Sequence, residues 1–162
     1  MPRTIKVDLF TDTVCPWCLV GAERLDQAIA ALPEGIEVEV ENHPFYLNPN
    51  TPAEGIVVAD MLREKYGKDP KELWARVESE AQKSGIDLDL SQQPRSYPTQ
   101  KGHTLVRLAR DKGTQHALAN AIAWAYFMIT GRSTTTRRSP ISPWSMVLRA
   151  MRRWRRCATL WR

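Results

Sequence analysis

Two cysteines stand two residues apart in "VCPWC", Cys15 and Cys18, where an apolar run gives way to a helical pattern. Sulfur in this spacing supports three kinds of chemistry. A thiolate can attack a disulfide and form a mixed disulfide, which a second thiol one helical turn away then resolves. Alternatively, the pair forms half of a zinc site, or two sulfurs are simply buried close together. Zinc needs four ligands, usually a second Cys or His pair at comparable spacing. Cys157 stands alone, and His43, His103 and His116 are far apart in the chain. Inert core cysteines sit in apolar surroundings, which a strand-to-helix junction with open backbone provides poorly. The redox reading leads, with the other two kept as alternatives.

The elements that must position this pair follow from hydrophobic periodicity. "TIKVDLF", residues 4–10, alternates apolar and polar side chains as a strand does. Beyond Cys18, Leu19, Ala22, Leu25, Ala28, Ile29 and Leu32 recur at three- and four-residue spacing, the pattern of an amphipathic helix that Pro33 and Gly35 end. "IEVEVENHPF" alternates again and gives a strand from about Ile36 to His43. The order is β-α-β, a helix crossing a parallel pair. The dithiol then lies just before the helix or in its first turn, where unpaired N–H groups and the helix dipole favour negative charge. That placement is expected to lower the pKa of Cys15. Pro16 suits the first turn because it has no N–H to leave unbonded. Trp17 is expected to shield the dithiol and shape its surroundings.

From Pro52 to Met128 the pattern is helical, with turn signals at Gly67–Pro70, Gly85 and Pro94–Pro98. "VVADMLREKYG", "PKELWARVESEAQKSG", "TLVRLARDKG" and "QHALANAIAWAYFM" read as four helices. Trp74, Trp124, Tyr126 and Phe127 fall at helical spacings and read as core. His103 reads as a helix-cap or packing residue, not as a catalytic one.

A chain of 162 residues is long enough for one domain with a proper core, or one domain carrying an insertion. Three cysteines are too few for a disulfide scaffold. The N-terminus passes directly into a strand pattern, no run approaches a membrane span, and the reading is a cytoplasmic protein. The net charge of +5 is unevenly placed. Residues 1–128 carry 14 Lys and Arg against 18 Asp and Glu, a balance of −4, whereas residues 129–162 hold nine Arg and no Lys, Asp or Glu. Any nucleic-acid reading must rest on that tail.

Beyond the dithiol itself, "DTVCPWCLVGAERL", "PFYLNPNTPAEG", "REKYG", "GHTLVRLA" and "ALANAIAWAYF" together cover nearly all of residues 5–128. With these stretches the chain resembles the DsbA-like thioredoxin-fold oxidoreductases, specifically the FrnE-type subgroup. The related hydroxychromene-carboxylate isomerases share the architecture but usually lack a complete dithiol, so the intact pair favours the oxidoreductase side. The resemblance implies an α/β, thioredoxin-like fold with a helical insertion, with Cys15 as nucleophile and Cys18 as resolving thiol. It divides the chain into a β-α-β half at 1–52, a helical subdomain at 53–128 and an anomalous tail at 129–162.

A chain of that family should continue with more helix, a cis-Pro loop facing the dithiol, two further strands and a closing helix. Residues 129–162 carry instead nine Arg, three Trp and a "TTT" run. This composition is that of a GC-rich gene read out of frame, and a one-base slip near Met128 is the leading account, with the C-terminal strands missing. An unstructured, sticky end comes next, and a basic arm in which "RAMRRWRR" meets phosphates or an acidic membrane comes last. The activity expected of the whole is thiol–disulfide exchange with protein or small-molecule thiols and disulfides as partners. No metal or organic cofactor is needed, and neither a specific nucleic acid nor a membrane is a partner. The alternative is an inactive truncated relic, or a binding module acting through the basic arm.

Overall fold

In the computed structural model, residues 3–129 are described, and the tail expectations, which concern residues 129–162, fall outside them except at Ile129. The alternating N-terminal segment forms β1 (Arg3–Thr11), followed by α1 (Pro16–Ala30) and β2 (Ile36–Pro44). β1 and β2 pair in parallel, in a register running from Arg3 opposite Ile36 to Thr11 opposite Pro44. The chain can re-enter as β2 because Gly35 adopts a left-handed φ of 87° and its carbonyl accepts the Arg3 N–H at 2.9 Å. The expected β-α-β unit is thus present, with each strand a residue longer at one or both ends.

The helical segment begins with the short strand β3 (Ile56–Val57), which pairs antiparallel with β4 (Arg95–Ser96). Gly55, at φ 75°, makes this approach possible, since a Cβ there would lie 2.6 Å from the Ser96 carbonyl oxygen. α2 (Val58–Tyr66) ends on a left-handed Gly67 whose N–H bonds the Arg63 carbonyl at 2.8 Å. α3 (Pro70–Lys83) starts from an Asp69 cap on the Lys71 N–H, with Pro70 in the first turn. α4 (Gln100–Leu108) and α5 (Gln115–Ile129) complete the described residues, separated by a 3-10 turn at Arg110–Lys112. α4 begins four residues before the periodic stretch at Thr104, because its first turn carries Gly102 and His103, residues that weaken a helical pattern read from sequence.

Among the described residues, the buried apolar cluster lies between helices and not on the sheet. Leu19 and Val20 of α1, Val77 and Ala81 of α3, Phe127 of α5 and the connecting Ile86, Leu88 and Leu90 form one buried cluster. Trp74, Trp124 and Tyr126 pack against it, as their helical spacing suggests. Arg24 ties α1 to the end of α3, donating to Ser84 Oγ at 2.8 Å and to Glu80 Oε2 at 2.7 Å. A polar seam joins α5 to the first unit. Gln115 exchanges two 3.0 Å bonds with the backbone N–H and C=O of Asn42. His116 Nε2 lies 2.7 Å from Asp26 Oδ1 on α1. These ties hold α1, and therefore its N-terminal turn, in place.

Candidate active site

β1 ends at Thr11 and the chain turns through Asp12–Val14 before α1 begins, so the dithiol sits where the strand meets the helix. Cys15 is the N-cap of α1 in extended conformation, with φ −94° and ψ 109°, and Pro16 occupies the first helical position. Cys15 Sγ accepts the Cys18 N–H at 3.2 Å, so a sulfur takes the place of the usual capping oxygen. Cys18 lies in the first turn, and both thiols are free and partly exposed. Trp17 is 44% exposed, with the Arg76 guanidinium of α3 at 6.0 Å from its ring. Its role is therefore that of a surface ring beside the dithiol more than a lid over it.

The two sulfurs are hydrogen-bonded and lose their protons as a pair. The bond from Cys15 holds Cys18 down at about 7, against burial and with help from the Asp12 backbone N–H. Cys15 is raised, first by its bond to Cys18 and then by burial, although the Cys18 N–H pulls the other way. Reasoning from the helix terminus alone puts the lowered pKa on Cys15. In the structure the two thiols are hydrogen-bonded to each other, so the first ionisation belongs to the pair and not to Cys15 alone.

Behind the sulfurs lies a buried pair that sequence spacing does not reveal. Asp12 is 2% and His103 is 7% exposed, and His103 Nε2 lies 3.3 Å from Asp12 Oδ1. Asp12 Oδ2 also accepts the Leu47 N–H at 2.9 Å, and the Asp12 carbonyl accepts the Cys15 N–H at 3.1 Å. Burial pushes the Asp12 carboxyl up, but hydrogen bonds from His103, Leu47 and Thr99 together bring it below its ordinary value. His103 packs edge-on against Tyr46 at 4.9 Å. It packs, as expected, but it does not cap a helix: its polar atom is spent on Asp12. A cavity of about 70 Å³ has Asp12, Cys18, His103, Arg107 and Arg110 among its lining residues.

Among the described residues, neither Cys15 nor Cys18 belongs to a group of three side chains that could hold a metal ion. Among the described residues, the group of three that could hold an ion is Asp8, Glu41 and His43, on the strands. His43 there pairs with Asp8 at 2.6 Å, and Glu41 is in contact with Arg110. No helix among the described residues is long and apolar enough to cross a membrane.

Comparison with known proteins agrees with this geometry. A probable DsbA oxidoreductase from Streptomyces coelicolor is similar in structure at TM-score 0.64 and 30% identity, over 80% of this chain and 56% of that one. The cytosolic disulfide reductase DsbM from Pseudomonas aeruginosa, solved with GSH, shares the fold at TM-score 0.52 and 17% identity, over 93% of this chain and 65% of that one. The uncharacterized protein YwbO of Bacillus subtilis (strain 168) is 40% identical over 47 residues, 29% of this chain and 22% of that protein. The chain thus spans less than two thirds of the length of each of these relatives. Residues 6–140 match the DSBA-like thioredoxin domain. With a parallel β-α-β unit, a helical segment packed on it and a dithiol at the strand-to-helix junction, the chain belongs to the DSBA-like thioredoxin domain family.

Proposed function

We propose that the chain is a thiol–disulfide oxidoreductase of the FrnE type, with Cys15 as the attacking sulfur and Cys18 as the resolving one. The observation that carries this reading is the N-cap placement of Cys15, whose Sγ accepts the Cys18 N–H. Moving the shared proton from Cys15 to Cys18 transfers the negative charge to Cys15, where that N–H and the first turn of α1 receive it. The Cys15 thiolate then attacks one sulfur of a substrate disulfide and expels the other as a thiolate, which takes up a proton. Cys18, once deprotonated, attacks Cys15 Sγ, closing the Cys15–Cys18 disulfide and releasing the second substrate thiol. The substrate gains two electrons and two protons, and the protein dithiol loses them. Run backwards, the same steps oxidise a substrate dithiol. Neither direction requires a metal or an organic cofactor.

Pro16 fixes the first turn and so the distance between the sulfurs, and Trp17 offers an exposed ring beside them. Phe45 and Leu47, exposed on the segment that Asp12 anchors, add apolar surface for a polypeptide substrate. The partners are protein or small-molecule thiols and disulfides in a reducing cytoplasm, where a dithiol is more often catalytic than structural. Turnover of a disulfide substrate such as insulin, measured on Cys15→Ser and Cys18→Ser variants, tests the roles. Cys15→Ser should abolish exchange, while Cys18→Ser should still attack and stall as a mixed disulfide detectable by mass. Full turnover by Cys15→Ser would end this reading.

A further inference from the structure

Among the described residues β1 pairs with β2 and with no other strand, and α4 and α5 contact the sheet at β2. The Arg3 N–H bonds the Gly35 carbonyl and the Thr11 carbonyl accepts the Phe45 N–H, so the odd-numbered residues of β1 turn their backbone groups toward β2. Backbone direction alternates along a strand, and Thr4, Lys6, Asp8 and Phe10 therefore turn theirs to the open edge. Such a row of unpaired amides and carbonyls is a template for another strand. The side chains along it are uncovered too, with Lys6 80%, Asp8 65% and Phe10 62% exposed. The sequence of this edge is complementary to itself. Set antiparallel about Val7, "TIKVDLF" places Thr4 opposite Phe10, Ile5 opposite Leu9 and Lys6 opposite Asp8. Each of these pairs occurs twice across a two-fold axis. One face then carries the Lys–Asp and Thr–Phe pairs, and the other carries the Ile–Leu pairs around a central Val7 contact. Opposite charges, and an aromatic ring against a β-branched side chain, are stabilising cross-strand neighbours. Sliding the register by two residues either way sets Lys6 opposite Lys6 or Asp8 opposite Asp8, so one alignment is favoured over its neighbours.

We propose that the open edge of β1 is a binding surface for β1 of a second copy of this chain, joined antiparallel about Val7. The product is a four-stranded sheet in the order β2, β1, β1, β2. Lys6 then lies between Glu39 of its own β2, 3.8 Å away, and Asp8 of the second copy. Asp8 gives one oxygen to His43 at 2.6 Å, and its other oxygen, which has no partner among the described residues, meets that lysine. Phe10, stacked on His43 at 4.7 Å, gains Thr4 of the second copy as a neighbour. Ile5, exposed in the single chain, is faced by Leu9. Because the two copies of β1 run in opposite directions, their dithiols come to opposite ends of the joined sheet. The contact is independent of the oxidoreductase reading and of residues 130–162.

The test is the association of the full chain, read by sedimentation velocity under reducing conditions over a wide range of concentration. The parent should pass from monomer to dimer and stop there. Lys6→Asp and Asp8→Lys should each weaken self-association about tenfold or more, because either substitution puts two like-charge pairs into the contact. Mixing these two variants should restore association as a heterodimer, the acidic edge of one meeting the basic edge of the other. The Lys6→Asp/Asp8→Lys double variant should associate like the parent. Both sites are exposed, and a melt matching the parent's establishes that each variant keeps its fold. Should a charge variant fail to fold, cysteine placement decides, in a Cys15→Ser/Cys18→Ser/Cys157→Ser background under mild oxidation. Val7→Cys should form an intermolecular disulfide, since Val7 meets its own copy at about 4.5 Å between Cα atoms. Ile5→Cys, which faces Leu9, should not. A parent that stays monomeric at every concentration, or association that ignores both charge swaps and so belongs to another surface, would overturn the proposal. So would cross-linking through Ile5→Cys in preference to Val7→Cys. A monomer whose Lys6 and Asp8 amides resist hydrogen exchange would overturn it too, by showing that the chain's own residues cover the edge.

Discussion

The helical layer and the strand-to-helix corner of this molecule are held by different forces. Between α1, α3 and α5 the contacts are apolar, with Leu19, Val20, Val77, Ala81, Ile86 and Phe127 excluding water. At the corner the buried groups are Asp12 and His103, and the sulfurs they adjoin are partly open. β1 itself contributes little to the core: Phe10 is 62% exposed and Ile5 is 38% exposed. Free energy of folding is therefore concentrated in the helices, and the sheet mainly aims the N-terminus of α1. Chemistry and stability occupy separate ground, so it should be possible to damage either one alone.

The largest effect should come from Cys15→Ser, which removes the sulfur proposed to attack. Exchange should fall by a factor on the order of a thousand or more, with thermal melting almost unchanged because the serine hydroxyl also caps a helix. Phe127→Ala should do the reverse. Its ring is buried in the helical cluster, and its loss should cost about 3–5 kcal/mol by chemical denaturation, while thiol alkylation at a temperature where the protein remains folded stays as in the parent. A folded Phe127→Ala protein with altered thiol reactivity would show that the two regions are coupled after all. Next in size is the pH dependence. Since Cys18 is held down at about 7, alkylation of the pair should level off above that pH and fall about tenfold per unit well below it. Stability has the opposite origin. Asp12 is lowered on folding, so its contribution is fully present above its ordinary value and is lost as pH falls through the folded one. Acid titration should therefore destabilise the parent more steeply than Asp12→Asn. The smallest effect should belong to Ile5→Thr on exposed β1, within about 0.5 kcal/mol. A larger loss would mean that the strand carries more of the fold than its exposure suggests.

What could be read from the chain alone follows the range of the interactions. β1, α1 and β2 were legible because their patterns are local: alternation over "TIKVDLF", then the three- and four-residue rhythm from Leu19 to Leu32, then alternation again. The placement of Cys15 and Pro16 at the helix start followed from the same local rules. Asp12 and His103 could not be paired this way, since 91 residues separate them and only the docking of α4 joins them. A signal was present in the position of Asp12, three residues before Cys15, but a lone acid in a turn has many ordinary explanations. Likewise the pKa order of the two sulfurs depends on a thiol hydrogen bond, which the helix-dipole expectation for Cys15 leaves out.

Gln115 has a consequence for how the protein behaves among other chains. A strand at the border of a sheet presents unpaired amides and carbonyls that can recruit another strand. At Asn42 both of these groups are already taken by the side-chain amide of Gln115, which offers one donor and one acceptor as a backbone peptide unit would. One side chain, at the start of α5, stands in for a neighbouring strand. β2 is therefore closed at this point to strand addition by an incoming chain, and protection against edge-to-edge aggregation is built into the first turn of a helix.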